Sequence, residues 1–188
     1  MSDHLIIALN REYGSGGKEI AEKLGKRLGI RTYDEDIADL AARRSGIRKD
    51  YFEKVDEKPT DSFLYMLAMN TFTMNTSMNP FENTLSSDDC IIIGRCAGYI
   101  LRDEPKCVKV YISADKDFRT KRIMASDHLD EKEAQKKIHS MDKKRDSYFG
   151  YYAGQDWKAC HTYDLSISTS SLGIDKAVDL ICQYIDIK

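Results

Sequence analysis

Three glycines within four residues, Gly14, Gly16 and Gly17, stand immediately before Lys18 in the run Asn10-Arg11-Glu12-Tyr13-Gly14-Ser15-Gly16-Gly17-Lys18-Glu19. Glycines at that density let the backbone turn sharply and aim successive N–H groups at one anion. A helix starting at the end of the turn adds the positive end of its dipole, and a lysine there can reach the outer phosphates of a nucleoside triphosphate. Tyr13, Gly14, Ser15, Gly16, Gly17, Lys18 and Glu19 are thus the candidate phosphate-binding residues. A tight strand-to-helix turn without a ligand is the alternative, although such a turn needs one or two glycines rather than three. The match to G-x-x-x-x-G-K-S/T is incomplete. Glu12 stands where the first glycine belongs, and Glu19 stands where a Mg²⁺-binding hydroxyl belongs.

Transfer of a phosphoryl group needs alignment and positive charge more than covalent help from the protein. Arg119 and Arg122 are spaced to share one helix face, with Lys121 beside them, and Lys143, Lys144 and Arg145 form a second basic group. Either group could face phosphates or be a solvated surface. Tyr33-Asp34-Glu35-Asp36 supplies a carboxylate pair at the end of a short candidate strand. Such a pair resembles that of kinases acting on small polyols, where Asp34 would serve as general base or orienter. Capping a helix from about Ile37 to Ser45 is an equally common use. His4, His128, His139 and His161 show no paired metal spacing, and no G-x-S-x-G or Cys–His nucleophile arrangement occurs. Trp157 suits packing against the domain better than stacking on a base.

Positioning these groups falls to short apolar runs. Leu5 to Leu9, Cys90 to Ile93, Val108 to Ile112 and Leu165 to Ile167 read as strands, with a shorter one at Arg31 to Tyr33. The runs are continuous rather than alternating, as expected where both faces of a parallel sheet are covered. Ile20, Ala21, Leu24 and Leu28 repeat at helical spacing, as do Ile174, Ala177, Val178, Ile181 and Ile185. Alternating strands and helices predict a doubly wound α/β sheet with ligands at the carboxyl ends of its strands. Two segments interrupt the alternation. One is an insertion at about 47–88 containing Met66, Met69, Met74 and Met78, either an adaptable surface or ordinary core. The other, at about 127–160, is charged and then aromatic. It fits a mobile helical arm over a site or a solvated helix hairpin.

Taken together, the phosphate-loop run through Ile20, Tyr33-Asp34, Ile92-Ile93-Gly94-Arg95-Cys96-Ala97, Phe118-Arg119-Thr120-Lys121-Arg122-Ile123 and Asp164 to Ser170 resemble the cytidylate-kinase-like family of phosphate-loop proteins. The resemblance spans nearly the whole chain. It implies a P-loop NTPase fold: a five-stranded parallel sheet with helices on both faces, a helical acceptor-binding insertion and a lid. It also implies ATP as phosphoryl donor, Mg²⁺ carried as the nucleotide complex and a nucleoside monophosphate as acceptor. Arg95 resembles the family arginine that grips the acceptor phosphate, a task suited to a bidentate guanidinium. Lys18, Arg119, Arg122, Arg145 and Asp34 complete the catalytic candidates. Cytidylate kinases resemble G-R-D after the third strand, where this chain reads Gly94-Arg95-Cys96, and no arginine lies six residues beyond Asp34. Cytosine specificity is therefore not implied. A kinase of a small hydroxyl metabolite and a noncatalytic nucleotide-binding module remain alternatives.

Composition bounds these readings. The 188 residues fit one large domain with a substantial core. A net charge of −2 gives no global attraction to nucleic acid or membrane, so any polyanion site must be a local cluster of positive charge. The 5 cysteines form no C-x-x-C pair and read as reduced thiols. With no spanning run and no signal segment, a cytoplasmic location is expected. Oligomeric state is left open.

Overall fold

The computed structural model describes residues 4–34, 89–94 and 96–188. Arg95, the 47–88 insertion with its methionines, Glu35, Asp36 and the helix expected over Ile37 to Ser45 lie outside the described residues. Ile6–Arg11 (β1), Arg31–Tyr33 (β2), Cys90–Ile93 (β3), Cys107–Ser113 (β4) and Leu165–Ser168 (β5) form a parallel sheet in the order β2-β3-β1-β4-β5. The helices are Gly17–Leu28 (α1), Ala97–Ile100 (α2), Lys116–Asp127 (α3), Glu131–Ala153 (α4), Thr169–Leu172 (α5) and Ile174–Ile187 (α6), with a 3₁₀ turn at Cys160–Thr162. The apolar runs carry strands close to the expected limits, and β2 and β3 begin and end where the sequence places them.

Side-chain alternation explains why the runs are apolar throughout. Ile7, Leu9, Ile91, Ile93, Val108, Val110, Ile112 and Ile167 enter one core layer beneath α1 and α6. Their neighbours Ile6, Ala8, Cys90, Ile92 and Cys107 enter another, closed by Ala97 of α2. Both faces are therefore dry, so residues of either parity must be hydrophobic. α1 and α6 meet the first layer through Ile20, Ala21, Leu24, Ala177, Val178 and Ile181. Burial of each of the larger ones, Ile20, Leu24, Val178 and Ile181, contributes about 1.5–3 kcal/mol.

Further along β4 the second face is covered differently. Tyr111, Phe149, Ala153, Trp157 and Cys96 form a separate aromatic cluster under the carboxyl-terminal part of α4. Trp157 is 1% exposed and meets Tyr111 edge-on, with centroids 5.9 Å apart, so it packs this segment against the sheet. At its other end α4 opens on a capping box: Asp130 accepts from the Glu133 backbone, and the Glu133 side chain accepts from the Asp130 backbone. Among the described residues, no helix is long and apolar enough to cross a membrane.

None of the five cysteines is in a disulfide: Cys90, Cys96 and Cys107 are buried, Cys182 is half-buried and Cys160 is exposed. Burial pushes the Cys107 thiol up to about 11, which removes the reactive thiolate near neutral pH. Alkylation of the native protein by iodoacetamide, followed by mass spectrometry, should label Cys160 first. Cys90, Cys96 and Cys107 should react only after denaturation, and equal labelling of Cys107 and Cys160 in native protein would contradict this packing.

Candidate functional site

β1 delivers the chain to the glycine-rich loop at the carboxyl edge of the sheet, and α1 begins at Gly17. Gly16 has φ 86°, and a Cβ built there would collide with Ile174 Cδ1. Neither the backbone angle nor the space suits a side chain, so the loop can turn this way only with glycine. Ser15 is fully buried, and its hydroxyl donates to the Glu12 carbonyl at 2.8 Å. From α5, the Thr169 hydroxyl donates to the Ser15 carbonyl at 2.7 Å. The loop is thus held from inside, and its outer side is left to the basic groups around it.

Glu12, in the position of a first glycine, is 8% exposed. Its Oε2 accepts from the Ala114 N–H at 3.1 Å, and its Oε1 accepts from Lys158 Nζ at 2.9 Å. Arg119 Nε lies 3.6 Å from Oε2. A carboxylate buried this deeply is tolerated only where charge and hydrogen bonds compensate it. Glu12 therefore ties the loop to the exit of β4, to α3 and to the segment after α4.

Arg119 is 9% exposed and is shared between two carboxylates. Besides facing Glu12, it donates through Nη1 to Asp142 Oδ2 at 2.5 Å and to the Tyr13 carbonyl at 3.3 Å. The other oxygen of Asp142 accepts from the Tyr13 N–H at 2.8 Å. One helical turn on, Arg145 donates to the Arg11 carbonyl at 3.1 Å and lies 5.4 Å from the centroid of the Tyr13 ring. Burial pulls the Arg145 guanidinium below its ordinary value. Asp142 and Arg145 therefore grip the loop entrance from α4, one on a backbone donor and one on a backbone acceptor. Arg122 takes a different course and donates to Glu19 at 2.9 Å. That hydrogen bond holds the Glu19 carboxyl below its ordinary value.

On the opposite side of the loop, Asp34 lies between two cations, 3.4 Å from Arg11 Nη2 and 3.3 Å from Lys18 Nζ. Arg11 reaches this place by running over Gly94, where a Cβ would meet its guanidinium. Arg11, Asp34, Gly94, Lys144, Arg145 and Tyr148 surround a cavity of about 320 Å³. Its rear is braced by Asn10, which donates to the Tyr163 hydroxyl at 2.8 Å; that hydroxyl donates to the Trp157 carbonyl at 2.6 Å. Burial pushes the Tyr163 hydroxyl up to about 12, so it stays protonated and keeps donating.

The structure brings Tyr13, Gly14, Ser15, Gly16, Gly17, Lys18, Glu19, Asp34, Arg119, Arg122 and Arg145 to one edge of the sheet, while Arg95 is outside the described residues. Glu12 and Glu19 both spend their carboxylates on protein partners. Among the described residues, no group of three or more His, Cys, Asp or Glu side chains is arranged to hold a metal ion. Sequence reasoning passed over Asp142, Lys158 and the side chain of Arg11. An acid three residues before Arg145 on a helix was the available signal for Asp142. Nothing local marks Lys158. Chemically, the edge presents a glycine-rich anion cradle beside a separate cation-lined cavity, with α4 spanning both.

Comparison with known proteins accords with this geometry. Residues 6–171 match the model of the cytidylate kinase-like family. A cytidylate kinase of Sulfolobus acidocaldarius is 27% identical over 184 residues, covering 97% of this chain and 94% of the relative. One of Desulfurococcus amylolyticus is 25% identical over 177 residues, covering 92% and 88%. Among solved structures, an uncharacterized protein from Eubacterium ventriosum superposes with a TM-score of 0.77 at 31% identity, covering 98% of this chain and 100% of that one. A shikimate kinase from Bacteroides thetaiotaomicron shares the fold, with a TM-score of 0.54 at 13% identity and coverage of 97% and 98%. The chain belongs to the cytidylate kinase-like family, which places it among phosphotransferases of the kinase type.

The loop's need for glycine at this position can be measured directly. Gly16→Ala puts a methyl group against Ile174 at a backbone angle that L-residues avoid, so the unfolding free energy should fall by about 1–3 kcal/mol in a urea titration. A loss of less than about 0.5 kcal/mol would mean that the loop relaxes freely around the new side chain.

Proposed function

We propose that this member of the cytidylate kinase-like family transfers the γ-phosphate of ATP to a nucleoside monophosphate. One observation carries the reading: the cavity beside the glycine-rich loop is lined by Arg11, Lys144 and Arg145. Three cations around one cavity suit an acceptor that brings its own phosphate. The names of the cytidylate kinase relatives support the same acceptor class.

In this reading the loop N–H groups from Tyr13 to Glu19 and the start of α1 hold the donor phosphates. Lys18 is 68% exposed, and its contact with Asp34 is of the kind that contributes little. It is therefore free to turn to a triphosphate. Mg²⁺ enters as part of the MgATP substrate. Arg95, directly after Gly94, grips the acceptor phosphate, while Arg145 on α4 acts as a lid residue reaching toward both substrates. An oxygen of the acceptor phosphate attacks the γ-phosphorus in line, the bond to the β–γ bridging oxygen breaks, and ADP leaves. A phosphate monoester is largely dianionic at neutral pH, so this attack needs no general base. Asp34 then orients Lys18 and Arg11. A second reading rests on the same carboxylate: Asp34 faces the cavity and could take the proton of an attacking hydroxyl if the acceptor were a small polyol.

A screen of nucleoside monophosphates and small polyols with MgATP separates the two. Lys18→Ala should weaken ATP binding or slow transfer by roughly tenfold or more. Unchanged titration and unchanged turnover in the folded variant would remove the phosphate-loop reading. Arg95→Ala should raise the acceptor KM while ATP affinity without acceptor stays nearly intact; outright loss of ATP binding would move Arg95 to the donor side. Asp34→Asn should spare most of the transfer to a monophosphate but abolish transfer to a polyol. Nucleotide binding with no transfer to any acceptor would identify a noncatalytic module.

A further inference from the structure

We infer that the Tyr13 N–H and Arg119 form an anion seat beside the glycine-rich loop, which Asp142 fills in the free protein and which a donor's terminal phosphate takes over by displacing it. The inference rests on the phosphotransfer reading and adds the residue that must yield. Both oxygens of Asp142 are engaged, one 2.8 Å from the Tyr13 N–H and the other 2.5 Å from Arg119 Nη1. A carboxylate bridging a loop amide and an arginine is the arrangement a phosphate would adopt there.

Two further observations show that the seat is fitted imperfectly by its present occupant. The Nε of Arg119 is buried without a hydrogen-bond partner. Asp142 spends both oxygens on the other two donors, and the carboxylate that faces this one, Glu12, stops 3.6 Å away, whereas a terminal phosphate offers three oxygens in a tetrahedron. The cations nearest the seat also already face carboxylates, with Arg145 one helical turn along α4. Glu12 and Asp142 oppose Arg119 and Lys158. A triphosphate adds several negative charges in a largely dry place, where the Asp142 side chain is only 14% exposed and repulsion is poorly screened.

One of the two carboxylates must then give way. Glu12 is fixed within the loop by the Ala114 N–H and Lys158. Asp142 is carried by a separate helix, and it also borders a groove of about 1010 Å³ that Arg119 and Lys158 line as well, together with Lys116, Lys132, Lys136 and Lys143. The displaced carboxylate therefore has a basic, hydrated surface to turn to, and donor binding loosens one of the contacts that dock α4 on the loop.

Calorimetric titration with inorganic tripolyphosphate and with MgATP tests the exchange through the sign of the effect. Asp142→Asn keeps the side-chain shape but removes the competing charge, so both ligands should bind roughly tenfold more tightly than to wild type, the scale of one charge-assisted contact. If Asp142 instead holds Arg119 ready for the donor, the variant binds equally or more weakly. That result, with Lys18→Ala also weakened, overturns the exchange and leaves the donor reading intact. Absence of binding by both wild type and Asp142→Asn overturns both. Hydrogen exchange on the unaltered protein gives a second readout should the variant fold poorly. Tripolyphosphate should protect residues 14–18 while speeding exchange at 139–145, and added protection in both segments contradicts displacement.

Discussion

A carboxylate buried at the mouth of a parallel sheet sets conditions for everything around it. Glu12 is 8% exposed, and a carboxylate at that depth is tolerated only where cations and donors come to it. They arrive from three directions: the Ala114 amide just past β4, Arg119 on α3 and Lys158 after α4. The glycine-rich loop thereby becomes the meeting point of elements that share no covalent neighbourhood. Removing one partner leaves the others facing an uncompensated charge, so the arrangement is cooperative in a way that apolar packing is not.

The end of β1 distributes its side chains with little waste. Asn10 braces the Tyr163 hydroxyl, Arg11 runs over Gly94 to Asp34, and Glu12 turns to the β4 side. Three consecutive residues thus serve the rear of the cavity, its mouth and the loop anchor. Strand alternation supplies the first change of direction, and the loss of regular strand geometry after Arg11 supplies the second. This division also separates two kinds of electrostatics. Lys18 and Asp34 meet at a surface where their attraction is weak and exchangeable, while Glu12 and Arg119 meet where each depends on the other.

Much of the frame was legible in the residues because it rests on local regularities. Continuous apolar runs such as Cys90 to Ile93 mark strands covered on both faces, and Ile20, Ala21, Leu24 and Leu28 mark the face of α1 that covers them. Three glycines before Lys18 mark the turn. The anchor was not legible for a physical reason. Asp142 meets Tyr13 across 129 residues, and Lys158 meets Glu12 across 146, so no spacing rule connects them. Glu12 itself read as a departure from the phosphate-loop pattern, because a sequence shows a charge without showing what neutralises it. Arg119 and Arg122 were placed correctly on one helix, yet one is locked beneath α4 and the other lies half-exposed on Glu19.

The chain contains a single tryptophan, and its position gives it an optical use. The Trp157 indole is 1% exposed, stands perpendicular to the Tyr111 ring and has its centroid 5.5 Å from Lys158 Nζ, whose ammonium also holds Glu12. Indole emission responds to the electric field of a nearby charge and to the entry of water. A shift of Lys158 would therefore alter both the colour and the intensity of the protein's own fluorescence. The molecule carries a chromophore wired to the anchor of its glycine-rich loop, so stopped-flow spectroscopy could follow that region without any label.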